Sequence, residues 1–384
     1  MSVFSKKDKG DLILVIDVQS SVVRGSLVLI RRSQLPYVVY TYNATIPFNS
    51  YTDSNFLIKS TLQAVEETVQ ATLRHLHIRI AEGDADQIPH SVSAVHYTLC
   101  SPWIVSQAKV LSLTSEKNMH ITRRFILDLI DQERAKLIPS PTDPLRVIEE
   151  KIFDVRLNGY SVVAWEGKMT TDVQVSFTVS IAGENMIQEF IRSCRLAVNH
   201  RRVFFHSSLL LQYIGMGLVY PKYEDYALIH IHGELTDFTV VRQNHCTFFG
   251  SFPSGVRTLV RKLATAAKLD DQAADSLLTL YIGGHLDAEH GKKSLEIVDQ
   301  IASDWIVELQ KLFIESAVDV QPLKFILSAW AHDEFYLSAL RRTYPKISVD
   351  TLSIDDILTK VEFAPQAERR RLTGLYAAAL KHML

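Results

Sequence analysis

The stretch Leu14–Val28, LVIDVQSSVVRGSLV, decides the fold. β-Branched and apolar residues fill both flanks, while Asp17-Val18-Gln19-Ser20-Ser21 is rich in turn formers. The segment therefore reads as a strand ending in an Asp, a tight turn, and a second strand. Ile229–Val241, IHIHGELTDFTVV, repeats that layout in the second half of the chain. Outward from the first copy, YVVYTYNATI and SVSAVHYTLC read as further strands. A helix is predicted between them over 55–79, where Phe56, Leu57, Leu62, Val65, Val69, Leu73 and Leu76 recur at helical spacing. Outward from the second copy come CTFFGSFP, helices predicted over 255–267, 271–282 and 294–317, and the strand KFILSA. Two meander-plus-helix halves predict an internally duplicated α/β architecture.

Between the halves lies a smaller unit. Ile121, Phe125, Leu129 and Ile130 share a face of a helix predicted over 121–137, with Thr122 as its N-cap. The Pro-rich turn IPSPTDP follows, then RVIEEKIFDVRLNGY with the turn pair Asn158-Gly159, the strand VQVSFTVSIA and the helix ENMIQEFIRSCRLA. Two more helices, DEFYLSALRRTY and ERRRLTGLYAAALKHML, complete the chain.

Of 384 residues, 47% are hydrophobic and 22% charged, which suggests two to three domain units and excludes wholesale disorder. Forty-one basic against 43 acidic residues, net charge −2, provide no global drive toward nucleic acid or anionic lipid. Cys100, Cys194 and Cys246 lie far apart among apolar neighbours, as core thiols of a reducing compartment do. The first apolar run is too short for a signal peptide or a membrane span, so a solvated tail over 1–10 and a cytoplasmic location are expected. Phe204, Phe205, Phe248 and Phe249 read as core.

Leu14–Val28, Ile229–Val241 and Lys324–Leu340 (KFILSAWAHDEFYLSAL), in that order, resemble the two phosphate loops and the adenosine loop of the actin-like ATPases. The segment from Ile121 to the helix ENMIQEFIRSCRLA resembles the subdomain that the cell-division protein FtsA inserts into its first lobe. The pilus-assembly protein PilM shares that general layout. ATAAKLDDQAADSLLTLYIGG resembles the second-lobe helix of the FtsA family. The resemblance implies an α/β, actin-like (ribonuclease H-like duplicated) two-lobed fold with an inserted small α+β subdomain of the FtsA type. Residues 11–100, 169–204 and 365–384 would form the first lobe, 101–168 the insert and 205–364 the second lobe. It implies a scaffold or adaptor of bacterial cell division with a weakened or lost ATP site. Such a protein assembles head-to-tail or recruits division proteins, and is recruited to the inner face of the cell membrane. A PilM-like cytoplasmic adaptor of type IV pilus or secretion assembly is one alternative. An active Mg-ATPase with a rebuilt pocket is another. Partners are expected to be proteins, with no nucleic acid and only indirect or weak membrane contact. Arg369-Arg370-Arg371 precedes an apolar helix that is expected to pack onto the first lobe rather than lie on a membrane.

By the same resemblance the nucleotide site falls on Asp17, Ser20, Ser21, Gly233, Thr236, Asp237 and Asp275. In such loops an Asp holds hydrated Mg²⁺, and glycines let backbone N–H groups approach phosphate oxygens. Here Gln19 stands where Gly is usual, His230 replaces the metal-directed Asp, and His232 replaces a glycine. Ser328-Ala329-Trp330 stands for Thr-Gly-Gly, Leu278 for a lysine, and Pro253-Ser254-Gly255 keeps one of two glycines. Each hydrogen bond to a charged phosphate is worth about 1.5–3 kcal/mol, so losing three or four costs on the order of 5 kcal/mol or more. No cofactor, or weakly bound Mg-ATP, is the expectation, with Asp17 and Asp237 equally readable as turn caps. His230, His232, His245 and Cys246 read as structural residues rather than metal ligands.

Overall fold

Apolar runs on either side of a short polar turn favour an antiparallel pair. β1 (Asp11–Val18) and β2 (Val22–Ile30) form it, with Asp17 opposite Arg24. The computed structural model describes residues 10–48, 53–82, 88–137, 144–195, 197–198, 202–285, 288–317 and 323–384. The tail before Gly10 and the Pro-rich turn over 138–143 lie outside the described residues. Contacts divide the chain into two compact units: Met1–Trp103 with Gly183–Pro221 and Ser353–Leu384, and Ile104–Ala182 with Lys222–Leu352.

The first unit is built on a six-stranded sheet. β3 (Tyr37–Thr45) pairs with β2, and β4 (Ala94–Leu99) runs parallel to β1 after the crossover helix α1 (Ser54–Ala81). Asp53 caps α1 by accepting the N–H groups of Asn55 and Phe56. β9 (Val203–Ser207) and β15 (Glu362–Phe363) complete the order β15-β3-β2-β1-β4-β9. α4 (Ser208–Val219) and α10 (Arg371–Met383) pack on this sheet, while α3 (Glu184–Ser193) packs on α1 and α9 (Ile354–Leu358) on α10. Gly215 lets α4 meet α10 closely, since a Cβ there would lie 2.9 Å from the Leu375 carbonyl oxygen. Leu372–Leu380 is buried throughout, so the closing helix is a core element.

The second unit holds two sheets. β10 (Tyr226–Ile231) pairs antiparallel with β11 (Thr236–Arg242) and parallel with β13 (Lys324–Ala329). With β12 (His245–Phe252) and β14 (Val349–Thr351) the order is β12-β11-β10-β13-β14, the same pattern as β3-β2-β1-β4-β9. Helices α5 (Val256–Ala267), α6 (Asp271–Ile282), α7 (Ala288–Glu315) and α8 (Asp333–Thr343) accompany it. The other sheet, β5-β8-β6-β7, is the insert: β5 (Ile104–His120), α2 (Arg123–Leu137), β6 (Leu145–Leu157), β7 (Tyr160–Ser161) and β8 (Met169–Gly183). Ile121, Ile126 and Ile130 pack on Val155, Val173, Val175 and Phe177 of its strands. Thr122 accepts the Phe125 N–H, and Asn158 and Gly159 turn β6 into β7 at φ of 50° and 83°.

The boundaries differ from the expected ones for physical reasons. β8 pairs along β5 and so belongs to the insert, where 169–183 had been expected in the first lobe. β9 pairs with β4 and β15 with β3, which places Phe205–Pro221 and Ser353–Ala364 in the first unit instead of the second lobe. β5 was not anticipated, because its Ser, Gln, Lys and Asn residues mask the strand pattern of a half-exposed edge. Phe204 is 44% exposed on edge strand β9 rather than in the core. No described helix is long and apolar enough to cross a membrane.

Candidate functional site

At the first turn the sheet carries Asp17 into a buried position, where a carboxylate needs partners. Its Oδ2 accepts from Gln19 Nε2 at 2.7 Å and from Arg24 Nη1 at 3.1 Å. The Cys100 thiol donates to Oδ1 at 3.6 Å. Arg24 stands directly across the hairpin from Asp17, so the two side chains share a face, and its Nε donates to Asn43 at 2.8 Å. The Gln19 N–H closes the turn onto the Val22 carbonyl at 3.0 Å, and the Gln19 carbonyl accepts the Trp103 indole N–H at 3.4 Å. Ser20 and Ser21 are both buried, and the Ser21 carbonyl accepts the Ile46 N–H. Asp17, Ser20 and Ser21 thus do come together, but with Arg24, which sequence reasoning missed. The hairpin register is the signal that would have found it.

The second turn is closed by the His232 N–H on the Leu235 carbonyl at 2.8 Å. His232 Nε2 lies 2.7 Å from Asp237 Oδ2, both side chains buried, and the His230 and His232 rings meet edge to face at 4.2 Å. Among the described residues, Asp237 Oδ1 and His232 Nδ1 have no hydrogen-bond partner. The Thr236 hydroxyl donates to the Ser254 carbonyl at 2.6 Å and accepts the Trp305 indole N–H at 3.0 Å. Gly233 is pressed against Gly255, where a Cβ would lie 2.6 Å from the carbonyl oxygens of Gly233 and His232. The Val256 and Arg257 N–H groups, at the start of α5, donate to His232 and Gly233 carbonyls at 3.0 and 2.6 Å. Those are the donors a helix N-terminus offers to an anion.

Glu234, also unanticipated, is buried beside them. Arg261 forks onto both of its oxygens, with Nη1 at 3.0 Å from Oε1 and Nη2 on Oε2. Arg257 lies 5.6 Å above the Trp330 ring. Burial lowers the Arg257 pKa, against the pull of the Glu234 carboxylate.

Asp275 lies on α6, with His332 Nε2 2.8 Å from its Oδ1. His332 adopts φ 60° ahead of α8, and Asp333 accepts the Ala329 N–H at 2.9 Å. The Trp330 N–H donates to the Ile231 carbonyl, and Leu278 is fully buried. His245 reaches Asp154 of the insert at 3.5 Å instead of His230 or His232. Burial pushes the Cys246 thiol pKa well up. Among the described residues no group of three or more His, Cys, Asp or Glu is arranged to hold a metal ion.

No protein-family model and no curated protein matches the chain in sequence. Solved structures do match in fold. One is a chain of a PilM–PilN type IV pilus biogenesis complex, with TM-score 0.59 and 12% identity over 96% of this chain and 96% of that one. A Bacteroides thetaiotaomicron protein with an actin-like ATPase fold and unknown function gives TM-score 0.43 and 8% identity over 93% and 99% of the two chains. The ethanolamine utilization protein EutJ from Carboxydothermus hydrogenoformans gives 0.43 and 11% over 95% and 88%. The repeated strand order and the first of these likenesses agree: the chain has an actin-like α/β fold.

Proposed function

We propose that this chain is an actin-fold adaptor that works by holding protein partners, and that its strand turns do not serve Mg-ATP. Asp17 carries the reading, because Arg24, Gln19 and Cys100 engage both of its oxygens inside the protein. A hydrated Mg²⁺ at Asp17 would share the carboxylate with a buried guanidinium, cation against cation. At the second turn the first N–H groups of α5 end on the turn's own carbonyls, and buried Glu234 takes both arms of the Arg261 guanidinium, which commits that cation within the protein. These residues do not fit a nucleotide phosphate chain.

The likeness to the PilM–PilN complex favours a role in type IV pilus or secretion assembly, with the adaptor recruited to the inner face of the membrane by a membrane-bound partner. A cell-division scaffold that assembles head-to-tail is the second reading, supported by the FtsA-like segment EEKIFDVRLNGY, which folds as β6, its turn and Tyr160 of β7. Titration calorimetry with Mg-ATP, with ADP as control, tests the nucleotide half. No heat of binding is expected at millimolar ATP. A dissociation constant below about 100 μM, on the order of −5.5 kcal/mol, would overturn it.

A further inference from the structure

Strand β6 spans 13 residues, but its outer neighbour β7 has two and pairs only with Arg156 and Leu157. Beyond β7 the Val155 carbonyl still accepts the Val162 N–H at 2.9 Å, so among the described residues Leu145–Asp154 runs past that pairing along the edge of the insert's sheet. Beside that run lies a cavity of about 540 Å³. β6 lines it over Glu150–Val155, together with Arg123 and Leu127 of α2, Val162 and Trp165 beyond β7, and His245 of β12.

The charges in this lining are unequal. Asp154 is satisfied from within, by the Ser161 hydroxyl at 2.6 Å, Arg156 Nε at 2.8 Å and His245 Nε2 at 3.5 Å. Glu150 lies 3.5 Å from Arg134. Arg123 and Lys151 are exposed, and neither meets a carboxylate among the described residues. Among the described residues the cavity thus presents two cations without a carboxylate partner, beside the apolar side chains of Leu127, Val162 and Trp165. Val163, on its rim, is 99% exposed.

We propose that this edge binds an extended acidic peptide as an added strand. The peptide main chain would pair along β6, its carboxylates would meet Arg123 and Lys151, and an apolar side chain would rest on Leu127 and Trp165. Strand addition draws affinity from main-chain hydrogen bonds and selectivity from alternate side chains, which suits a groove with charge at one level and apolar surface at the next. The competing role for Lys151 is a guard that keeps bare edges from pairing, and it predicts no peptide at all. The proposal gives the adaptor reading a contact surface, yet stands on the insert alone, whether or not the strand turns take nucleotide.

An array of acetylated heptapeptides, scanned position by position with the full-length chain, should select Asp or Glu at alternate positions. The best peptide, free in solution, should bind with a dissociation constant below about 100 μM by fluorescence anisotropy. Arg123→Glu combined with Lys151→Glu should weaken it about tenfold or more, which a circular dichroism check on folding makes interpretable. For the unaltered protein, raising salt from about 50 to about 500 mM should weaken binding as well. Hydrogen exchange should slow over 145–155 in the complex. Selection of basic or neutral sequences, slowing elsewhere, binding indifferent to both charge reversal and salt, or an array with no binder would each overturn the proposal. Tight Mg-ATP binding would overturn the nucleotide half of the adaptor reading and leave this surface standing.

Discussion

Asp17 and Arg24 hold each other almost out of water, each side chain 5% exposed. Removing one partner of a buried pair leaves the other charged and unpaired, at a cost of about 3–5 kcal/mol. Arg24→Ala should therefore lower the unfolding free energy by about that amount in urea denaturation. Adding Asp17→Asn should recover part of it, since the orphaned charge is gone. A loss below about 1 kcal/mol for Arg24→Ala would mean the turn does not depend on the pair. Asp17 was legible in the sequence as the end of a strand, because a strand-turn-strand pattern is local. Arg24 was not, because its task depends on register across the hairpin. Gly255 was legible as the one glycine kept of two, but not the reason it is needed, which is that His232 and Gly233 press their carbonyls against it.

Pairing of β4 with β9 brings His96 Nδ1 within 3.0 Å of His206 Nε2, and His96 stacks on Phe204 with ring centroids 5.0 Å apart. Burial, with a smaller push from His206, lowers the His96 pKa from 6.5 to about 3. Between those values the unfolded chain binds the proton and the folded chain does not. This contribution to stability is complete above pH 6.5 and is lost as pH falls toward 3. At full extent it is on the order of 3–5 kcal/mol. Urea denaturation from pH 7 to 4 should show a stability slope that His96→Gln flattens; equal slopes for both proteins would count against this role for His96. Among the elements, α1 and α2 were legible because apolar residues recur at helical spacing, and in α2 because Thr122 marks its start; the Asp53 cap of α1 went unread. β8 was legible as a strand but not in its sheet, since its partner β5 is distant in sequence and carries no clean alternation. Phe204 misled because an edge strand leaves one flank to solvent.

For the molecule as a whole, the repeated hairpin at Asp17 and at Asp237 was enough to read a duplicated α/β fold, and both sheets follow it. The insert's working surface was not legible, because a strand that outruns its neighbour leaves no motif behind. Ligand linkage provides a global check on the nucleotide reading. A dissociation constant of 1 mM or weaker stabilises by at most about 0.4 kcal/mol at 1 mM ligand. Thermal unfolding with about 1 mM Mg-ATP should therefore move by about 1 °C or less, and a rise of about 5 °C would contradict the reading. The cross-strand pair at the first turn also limits how this sequence can drift. A change at position 17 alone abandons a buried guanidinium, and a change at 24 alone abandons a buried carboxylate. Neither single step is neutral, so the two codons are inherited as one trait, and a designer who wants a metal-holding Asp17 must rewrite its neighbour across the hairpin in the same move.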